Sequence, residues 1–127
     1  AELSHRIEEW GKEPDWTVLM LVKGDEVIGI SLLKRFDTER PVSGLAVRER
    51  FRKLKLGFLL QTIINEQADL LELPRLYATA SPDNAASLGL HKTCGFTETG
   101  RRIPHFVTRN GIKEVDRNDV EMVRELR

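Results

Sequence analysis

Apolar residues recur at helical spacing near the start of the chain. Leu3, Ile7 and Trp10 lie three to four positions apart, with mostly polar residues between them. Residues 2–12 are therefore predicted to form a short amphipathic helix that ends where a glycine and a proline follow. Its tryptophan is expected to pack into the core.

Three strands are predicted after this helix. The segment 16–22 is almost continuously apolar, which is typical of a strand that is buried on both faces. Further strands are predicted at 27–36 and 42–47, with a turn at 23–26 and a polar hairpin connection at 35–41. Such short connections indicate an antiparallel meander.

A cluster of basic residues follows the third strand and leads into a helix. It consists of Arg48, Arg50, Arg52, Lys53 and Lys55. The apolar residues that come next trace one helical face, so a helix is predicted from Gly57 to about Glu72. A basic turn at a helix start gathers unpaired N–H groups, the positive end of the helix dipole and cationic side chains, which favours phosphate binding. The alternative is a solvated basic turn on the surface.

The second half of the chain returns to the sheet. A strand at 75–81 follows the helical crossover and is predicted to run parallel to the third strand. A helix is predicted at 85–93. Residues 97–126 are predicted to form two antiparallel strands around a longer loop, with a turn at Asn110 and Gly111.

Composition narrows the class of protein. The chain has 127 residues, of which 40% are hydrophobic and 31% are charged, so a single domain covering 1–127 is expected. The 20 basic and 20 acidic residues cancel, which argues against a general nucleic-acid or anionic-membrane partner. The one cysteine, Cys94, excludes an internal disulfide, agrees with a cytoplasmic location and is interpreted as a small packed side chain. Neither a transmembrane helix nor a signal peptide is expected, because no apolar run is long enough.

The basic cluster lies inside a longer motif. Val47, Arg52 and Gly57 resemble the Val, Arg and second Gly of V-x-P-x-x-R-x-x-G-x-G/A, the acetyl-CoA-binding motif of the GNAT N-acetyltransferase superfamily. Glu49 replaces the Pro of that motif, and Lys55 replaces its first Gly. The resemblance implies acetyl-CoA as the cofactor. The cofactor-binding residues that it implies are Leu45, Ala46, Val47, Arg52, Lys53, Leu54, Lys55, Leu56, Gly57, Phe58, Asn84 and Ser87.

A second segment strengthens the resemblance. It is similar to N-x-x-A-x-x-L-Y-x-x-x-G-F of the same superfamily, with His91 at the position of the Tyr. The other matched positions are Asn84, Ser87, Leu90, Gly95 and Phe96. The resemblance covers about residues 16–126 and implies a mixed α/β fold (an α+β mixed sheet) of the GNAT type. Family members begin with a strand and two helices, so the N-terminal elements are expected to be partly missing from this chain.

The same resemblance implies a mechanism. Pantetheine is expected between the third strand and the next parallel strand, bonded to the backbone of Leu45 and Val47, with the pyrophosphate on the N–H groups of residues 52–58. His91 is then the catalytic candidate, as an acid that protonates the departing CoA thiolate, or else a packing histidine. The third strand carries no acid to serve as general base, so an ordered water or Glu39 is expected in that role.

Three functions remain open from the sequence. The first is transfer of an acetyl group to a primary amine of a small molecule or peptide, by a chain that pairs into a homodimer or acts alone. The second is a catalytically idle acyl-CoA-binding or interaction module of the same fold. The third is nucleic-acid binding by the basic cluster, which the neutral net charge makes the weakest.

Overall fold

A computed structural model describes the backbone of residues 4–8, 16–34 and 40–126, which form one mixed sheet with helices packed against it. The strands are β1 (Ser4–Glu8), β2 (Trp16–Lys23), β3 (Glu26–Lys34), β4 (Val42–Val47), β5 (Arg75–Ala80), β6 (Thr97–Arg109) and β7 (Ile112–Glu125). The helices are a 3₁₀ helix (Glu49–Leu54), α1 (Leu56–Leu70) and α2 (Ala85–Thr93). Neither α-helix in the described part of the chain is both long and apolar enough to cross a membrane.

The seven strands lie in the order β1-β2-β3-β4-β5-β7-β6. Neighbouring strands are antiparallel except β4 and β5, which are parallel because α1 carries the chain back across the sheet between them. The strands predicted at 16–22, 42–47 and 75–81 and the helix predicted at 85–93 are confirmed, with small shifts at their ends. The mixed α/β fold predicted from the sequence is therefore also confirmed.

Helix α1 packs on one face of the sheet through residues spaced four apart. Leu56 and Leu60 join a cluster with the β2 and β3 side chains Leu19, Leu21 and Ile28. Ile64 and Ala68, one and two turns later, join a second cluster that includes Leu76, Ala78, Phe96 and Met122. Burial of a large aliphatic side chain stabilises a fold by about 1.5–3 kcal/mol, so these contacts hold α1 firmly over the centre of the sheet.

The helix predicted for residues 2–12 is wrong where the chain is described. Residues 4–8 form β1, which pairs antiparallel with β2 from Ser4 opposite Val22 to Glu8 opposite Val18. Backbone pairing with the free edge of β2 satisfies the N–H and C=O groups of a segment too short to be a stable helix by itself. Trp10, predicted to pack in the core, lies outside the described residues.

The longer loop predicted within 97–126 is also wrong. Strands β6 and β7 form one long hairpin joined by a tight turn at Asn110 and Gly111. Both turn residues have positive φ angles, 52° and 77°, as a two-residue type I′ turn requires. Only the last part of β7, from Val120 to Glu125, pairs with β5, so the far end of the hairpin extends beyond the rest of the sheet.

Candidate functional site

The parallel strands β4 and β5 separate almost as soon as they meet. In the described part of the chain they pair at one position, Val42 opposite Tyr77, and the Tyr77 N–H donates to the Pro41 carbonyl at 2.9 Å. Beyond this point β4 continues along β3, whereas β5 continues along β7. A cleft therefore opens between the two strands, at the place where pantetheine is expected.

The cleft has two adjoining parts that share Leu45 and Ser87. The first, the basic cleft, has a volume of about 500 Å³. Its lining consists of Leu45, Ala46, Val47, Arg52, Lys55, Gly57, Phe58, Asn84, Ala86, Ser87 and Leu90. The second, the fork cleft, lies where the strands begin to separate and has a volume of about 230 Å³. Its lining consists of Leu32, Lys34, Val42, Ser43, Gly44, Leu45, Thr79, Ser87 and His91.

The four basic residues of the sequence cluster whose side chains are described lie in two different places. Arg48 and Arg50 both approach Glu26 of β3: Arg50 donates to its carboxylate, and Arg48 Nε lies 3.9 Å from it. By contrast, Arg52 and Lys55 line the basic cleft. The side chain of Lys53 is outside the described part of the structure.

The loop between β4 and α1 has two structural constraints. Arg52 Nε donates to the carbonyl of Val47 at 3.1 Å, which holds the 3₁₀ helix against the end of β4. Lys55 then adopts the left-handed conformation, with φ 58° and ψ 25°, and directs the chain into α1. This conformation favours glycine, which is the residue that the family motif has at this position.

The first turn of α1 faces the basic cleft without a side-chain cap. Lys55 occupies the N-cap position and makes no capping hydrogen bond with its side chain. The first N–H groups of a helix have no acceptor within the helix, so this turn offers donors and a partial positive charge beside Arg52 and Lys55. The Leu56 side chain is 5% exposed and packs among core residues. Only the backbone N–H of Leu56 can therefore contribute to the cleft.

Helix α2 forms the opposite wall. The Asn84 side chain caps it, since Oδ1 accepts a hydrogen bond from the Ser87 N–H at 3.0 Å. Ser87 and His91 are four residues apart and therefore lie on the same face, toward the cleft. Ala86 and Leu90 also line the basic cleft and were not predicted as site residues. The signal for Leu90 was its spacing of three residues from Ser87, and Ala86 lies four residues before Leu90 on the same helical face.

His91 is buried, at 5% exposure, and its ring is held on two sides. Nδ1 lies 2.7 Å from the backbone carbonyl of Ser87 and 3.5 Å from the Ser87 hydroxyl. The ring also makes an edge contact with Phe96, with 5.2 Å between the ring centroids. The structure thus brings His91 to the fork cleft beside Ser87, Ser43 and Thr79.

Most of the residues predicted to bind the cofactor therefore converge on one cleft. The predicted residues that line the basic cleft are Leu45, Ala46, Val47, Arg52, Lys55, Gly57, Phe58, Asn84 and Ser87. Lys53 and Leu54 are in the adjacent 3₁₀ helix, where only their backbone is described. Glu39, the carboxylate considered as a general base, lies outside the described residues.

Solved structures with this fold include several acetyltransferases. An IAA acetyltransferase from Bacillus cereus is 17% identical, with a TM-score of 0.78 over 98% of this chain and 100% of that one. A Bacillus subtilis acetyltransferase in complex with CoA is 18% identical, with a TM-score of 0.75 over 98% of this chain and 99% of that one. A GNAT family acetyltransferase from Elizabethkingia anophelis with acetyl-CoA bound is 18% identical, with a TM-score of 0.75 over 98% of each chain.

At the level of sequence, the chain matches a family model but no individual curated protein. No curated protein matches this chain significantly. The model of the acetyltransferase (GNAT) family matches residues 1–96, a span that contains both motifs and also the N-terminal segment before residue 16. The two motifs, the fork between β4 and β5 and this match over most of the chain lead to one conclusion: the chain belongs to the GNAT family of acetyltransferases.

Proposed function

We propose that this protein is an N-acetyltransferase that transfers the acetyl group of acetyl-CoA to a primary amine of a small molecule or peptide. The observation that carries the proposal is the fork between β4 and β5, which opens the basic cleft next to an uncapped helix start and two cationic side chains. The solved acetyltransferases that contain CoA and acetyl-CoA support the choice of acetyl donor.

The phosphate end of the donor is assigned to the start of α1. Backbone N–H groups from Arg52 to Phe58, including those of Lys53, Leu54, Leu56 and Gly57, surround this helix start. Helix N-termini bind phosphate because unpaired N–H groups and the helix dipole act together. Arg52 and Lys55 add charge-assisted hydrogen bonds from the same side of the loop.

The pantetheine arm is assigned to the space between the separated strands. Beyond Val42, the edge of β4 that faces β5 has no described strand partner, so backbone groups near Leu45 and Ala46 can bond to the amides of the arm. The Val47 carbonyl already accepts from Arg52. On the opposite wall, Asn84 uses its Oδ1 to cap α2, and its side-chain N–H groups remain to donate to the cofactor.

The reacting groups are assigned to the fork cleft. Acetyl-CoA supplies an activated thioester there, and the amine enters from the side lined by Lys34 and Thr79. Ser87 lines both parts of the cleft and His91 lines the fork cleft beside it, and we place the sulfur of the bound donor next to these two residues. His91 is therefore the candidate for proton transfer, and Ser87 helps to fix its ring.

A binding experiment tests the donor site. A ligand selective for the folded state stabilises it by about 2.7 kcal/mol at 100 times its dissociation constant, so CoA should raise the melting temperature clearly. Arg52→Gln should weaken CoA binding by about ten- to a hundredfold, because one charge-assisted hydrogen bond of roughly 1.5–3 kcal/mol is lost. Arg50→Gln removes the same charge from the same 3₁₀ helix but on the side of Glu26, and should leave the affinity unchanged. No melting shift at millimolar CoA would contradict the donor site.

A second experiment tests the transfer. Acetyl-CoA is incubated with the protein and a panel of amino acids, polyamines, aminoglycosides and peptides, and the released CoA is measured as free thiol. Amine-dependent release is expected for at least one class of acceptor. CoA binding without release from any amine would instead favour an idle acyl-CoA-binding module.

A further inference from the structure

The hydrogen bond between His91 and Ser87 determines which ring nitrogen is protonated. His91 Nδ1 lies 2.7 Å from the Ser87 carbonyl oxygen, which can accept a hydrogen bond but cannot donate one. Nδ1 must therefore carry a proton. Because a neutral imidazole has a single N–H, the neutral ring of His91 has an unprotonated Nε2 with a free lone pair.

Packing keeps the ring in this orientation. His91 is 5% exposed, and its edge contacts Phe96, which is 2% exposed. A 180° flip of the ring would place Cδ2 instead of Nδ1 beside the Ser87 carbonyl and would break this hydrogen bond. While the ring is neutral, its N–H group is therefore used at the Ser87 carbonyl, and Nε2 is its proton acceptor.

The other described side chains that line the cleft include no carboxylate that could accept a proton. Among the described residues that line its two parts, the charged side chains are the cations Lys34, Arg52 and Lys55. Lys34 is on β3 and faces the same fork cleft as His91; the other polar side chains there, from β4, β5 and α2, are hydroxyls. Of the two buried carboxylates on β7, Glu121 accepts hydrogen bonds from Arg40 and Thr99 and Asp119 accepts one from Arg117, and neither is among the described residues that line the cleft. Among the described side chains that line the cleft, His91 is thus the one whose neutral form has a basic nitrogen and no positive charge.

We infer that His91 Nε2 is a proton shuttle that serves both halves of the reaction, a role that rests on the proposed acetyl transfer. The neutral amine attacks the thioester carbonyl, a C–N bond forms, and the amine nitrogen gives one proton to Nε2. The C–S bond then breaks, and its electron pair leaves with the sulfur. The imidazolium returns the proton from Nε2 to the thiolate, so that the amide and CoA are released and His91 is neutral again.

This role differs from that of an acid alone in a measurable way. An acid that only protonates the thiolate must begin the cycle protonated, and a tyrosine at the same position serves that purpose equally well. A shuttle must begin the cycle neutral and must accept a proton first. A neutral tyrosine hydroxyl can donate a proton, but it is a very weak base, so it cannot replace the histidine in the first half.

The first test reads the tautomer directly in the free protein. Nitrogen-15 NMR of the imidazole rings, with the His91 signals assigned through the His91→Gln variant, should show the neutral ring protonated on Nδ1 alone. This measurement needs neither acceptor nor turnover. A neutral ring protonated on Nε2 would overturn the inference, whatever the outcome of the amine panel.

The second test is the pH dependence of the transfer with an acceptor from the amine panel. A shuttle predicts a kcat that rises with pH, because only a neutral ring can accept the proton of the amine. His91→Gln should lower kcat by about 10² or more and remove this rise, while KM for acetyl-CoA stays within a few fold. Lys92→Gln, a change at the next residue on the outer face of α2 where Lys92 pairs with Glu98, should behave like the unchanged protein.

The remaining outcomes separate the shuttle from other assignments. Near-full recovery of kcat in His91→Tyr at neutral pH would show that an acid suffices and would overturn the shuttle. Loss of the pH-dependent rise in Glu39→Gln, with its retention in His91→Gln, would overturn it in favour of Glu39. If CoA binds and no amine supports its release, the proposed transfer fails and the shuttle fails with it.

Discussion

Gly57 of α1 and Leu90 of α2 lie so close together that a Cβ atom on Gly57 would be 3.2 Å from Leu90 Cδ2. Both residues line the basic cleft, so the contact joins the helix start proposed to bind phosphate to the opposite wall. The glycine therefore has two effects: it lets α2 pack near α1, and it leaves the N–H groups of the first turn accessible from the cleft.

A charged side chain at Gly57 should abolish CoA binding. Gly57→Glu places a long anionic side chain between α1 and α2, where it fills the cleft and repels phosphate. We expect CoA affinity, measured by calorimetry, to fall by more than about tenfold while circular dichroism stays near native. Gly89→Glu is the matched control, because that glycine lies in α2 and a Cβ atom on it would have open space within 4 Å. Equal affinity in both variants would show that the phosphates bind elsewhere.

Lys55 and Glu72 provide a second matched pair. Both have left-handed backbones, with φ angles of 58° and 57°, at opposite ends of α1. A non-glycine residue costs about 1–2 kcal/mol there, and glycine recovers this strain but adds unfolded-state entropy. Lys55→Gly and Glu72→Gly should therefore each raise the free energy of unfolding by about 0.5–1 kcal/mol in urea denaturation.

The same two variants should differ in CoA binding. Lys55→Gly removes a cation from the basic cleft, so CoA should bind more weakly and with less dependence on salt concentration. Glu72→Gly lies at the far end of α1 and should leave both quantities unchanged. If the two variants bind CoA alike, Lys55 contributes no charge to the site.

Two glycines of the α2 region should respond to alanine with opposite signs. Gly89 is exposed in the interior of α2 with open space around it, so Gly89→Ala should stabilise the protein by about 0.5–1 kcal/mol. Gly95 has a φ of +95°, and a Cβ there would lie 3.1 Å from Arg124 Nε, so Gly95→Ala should lower the melting temperature. A fall in melting temperature for Gly89→Ala would show that α2 is held away from helical geometry at this position.

Cys94 should react slowly with thiol reagents. Burial raises the pKa of its thiol, and the nearby charge of Arg124 opposes that shift but does not cancel it. A raised pKa keeps the thiol protonated to higher pH, and the thiolate is the reactive form. Alkylation at mildly alkaline pH should thus be slower than for a free cysteine peptide and should accelerate in denaturant. Arg124→Gln should slow it further, and a faster reaction in that variant would contradict the stated cause.

Local chemistry explains why α2 was predictable. Asn84 caps the helix through its own side chain, and Gly95 takes a positive φ just after it ends, as its lack of a side chain allows. Both signals lie within a few residues of the helix ends that they stabilise. The turn at Asn110 and Gly111 was predictable for the same reason, whereas the length of the hairpin around it was not.

Segments whose conformation depends on pairing with another strand were predicted less well. The spacing of Leu3, Ile7 and Trp10 suits a helix, yet Ser4–Glu8 is a strand. The deciding interaction is backbone pairing with β2, and no residue within the segment encodes that β2 has a free edge. Strands β6 and β7 are likewise longer than predicted, because they pair with each other along nearly their whole length.

The sequence by itself determined the family and the order of the elements after residue 16, because motif spacing and helix ends depend on near neighbours along the chain. Only the tertiary structure decided which of the basic residues share the cleft. Arg50 pairs with Glu26 of β3, whereas Arg52 and the left-handed Lys55 that follows the 3₁₀ helix both line the basic cleft. The cleft itself exists because β4 follows β3 and β5 follows β7, a choice between long-range partners that no local pattern contains.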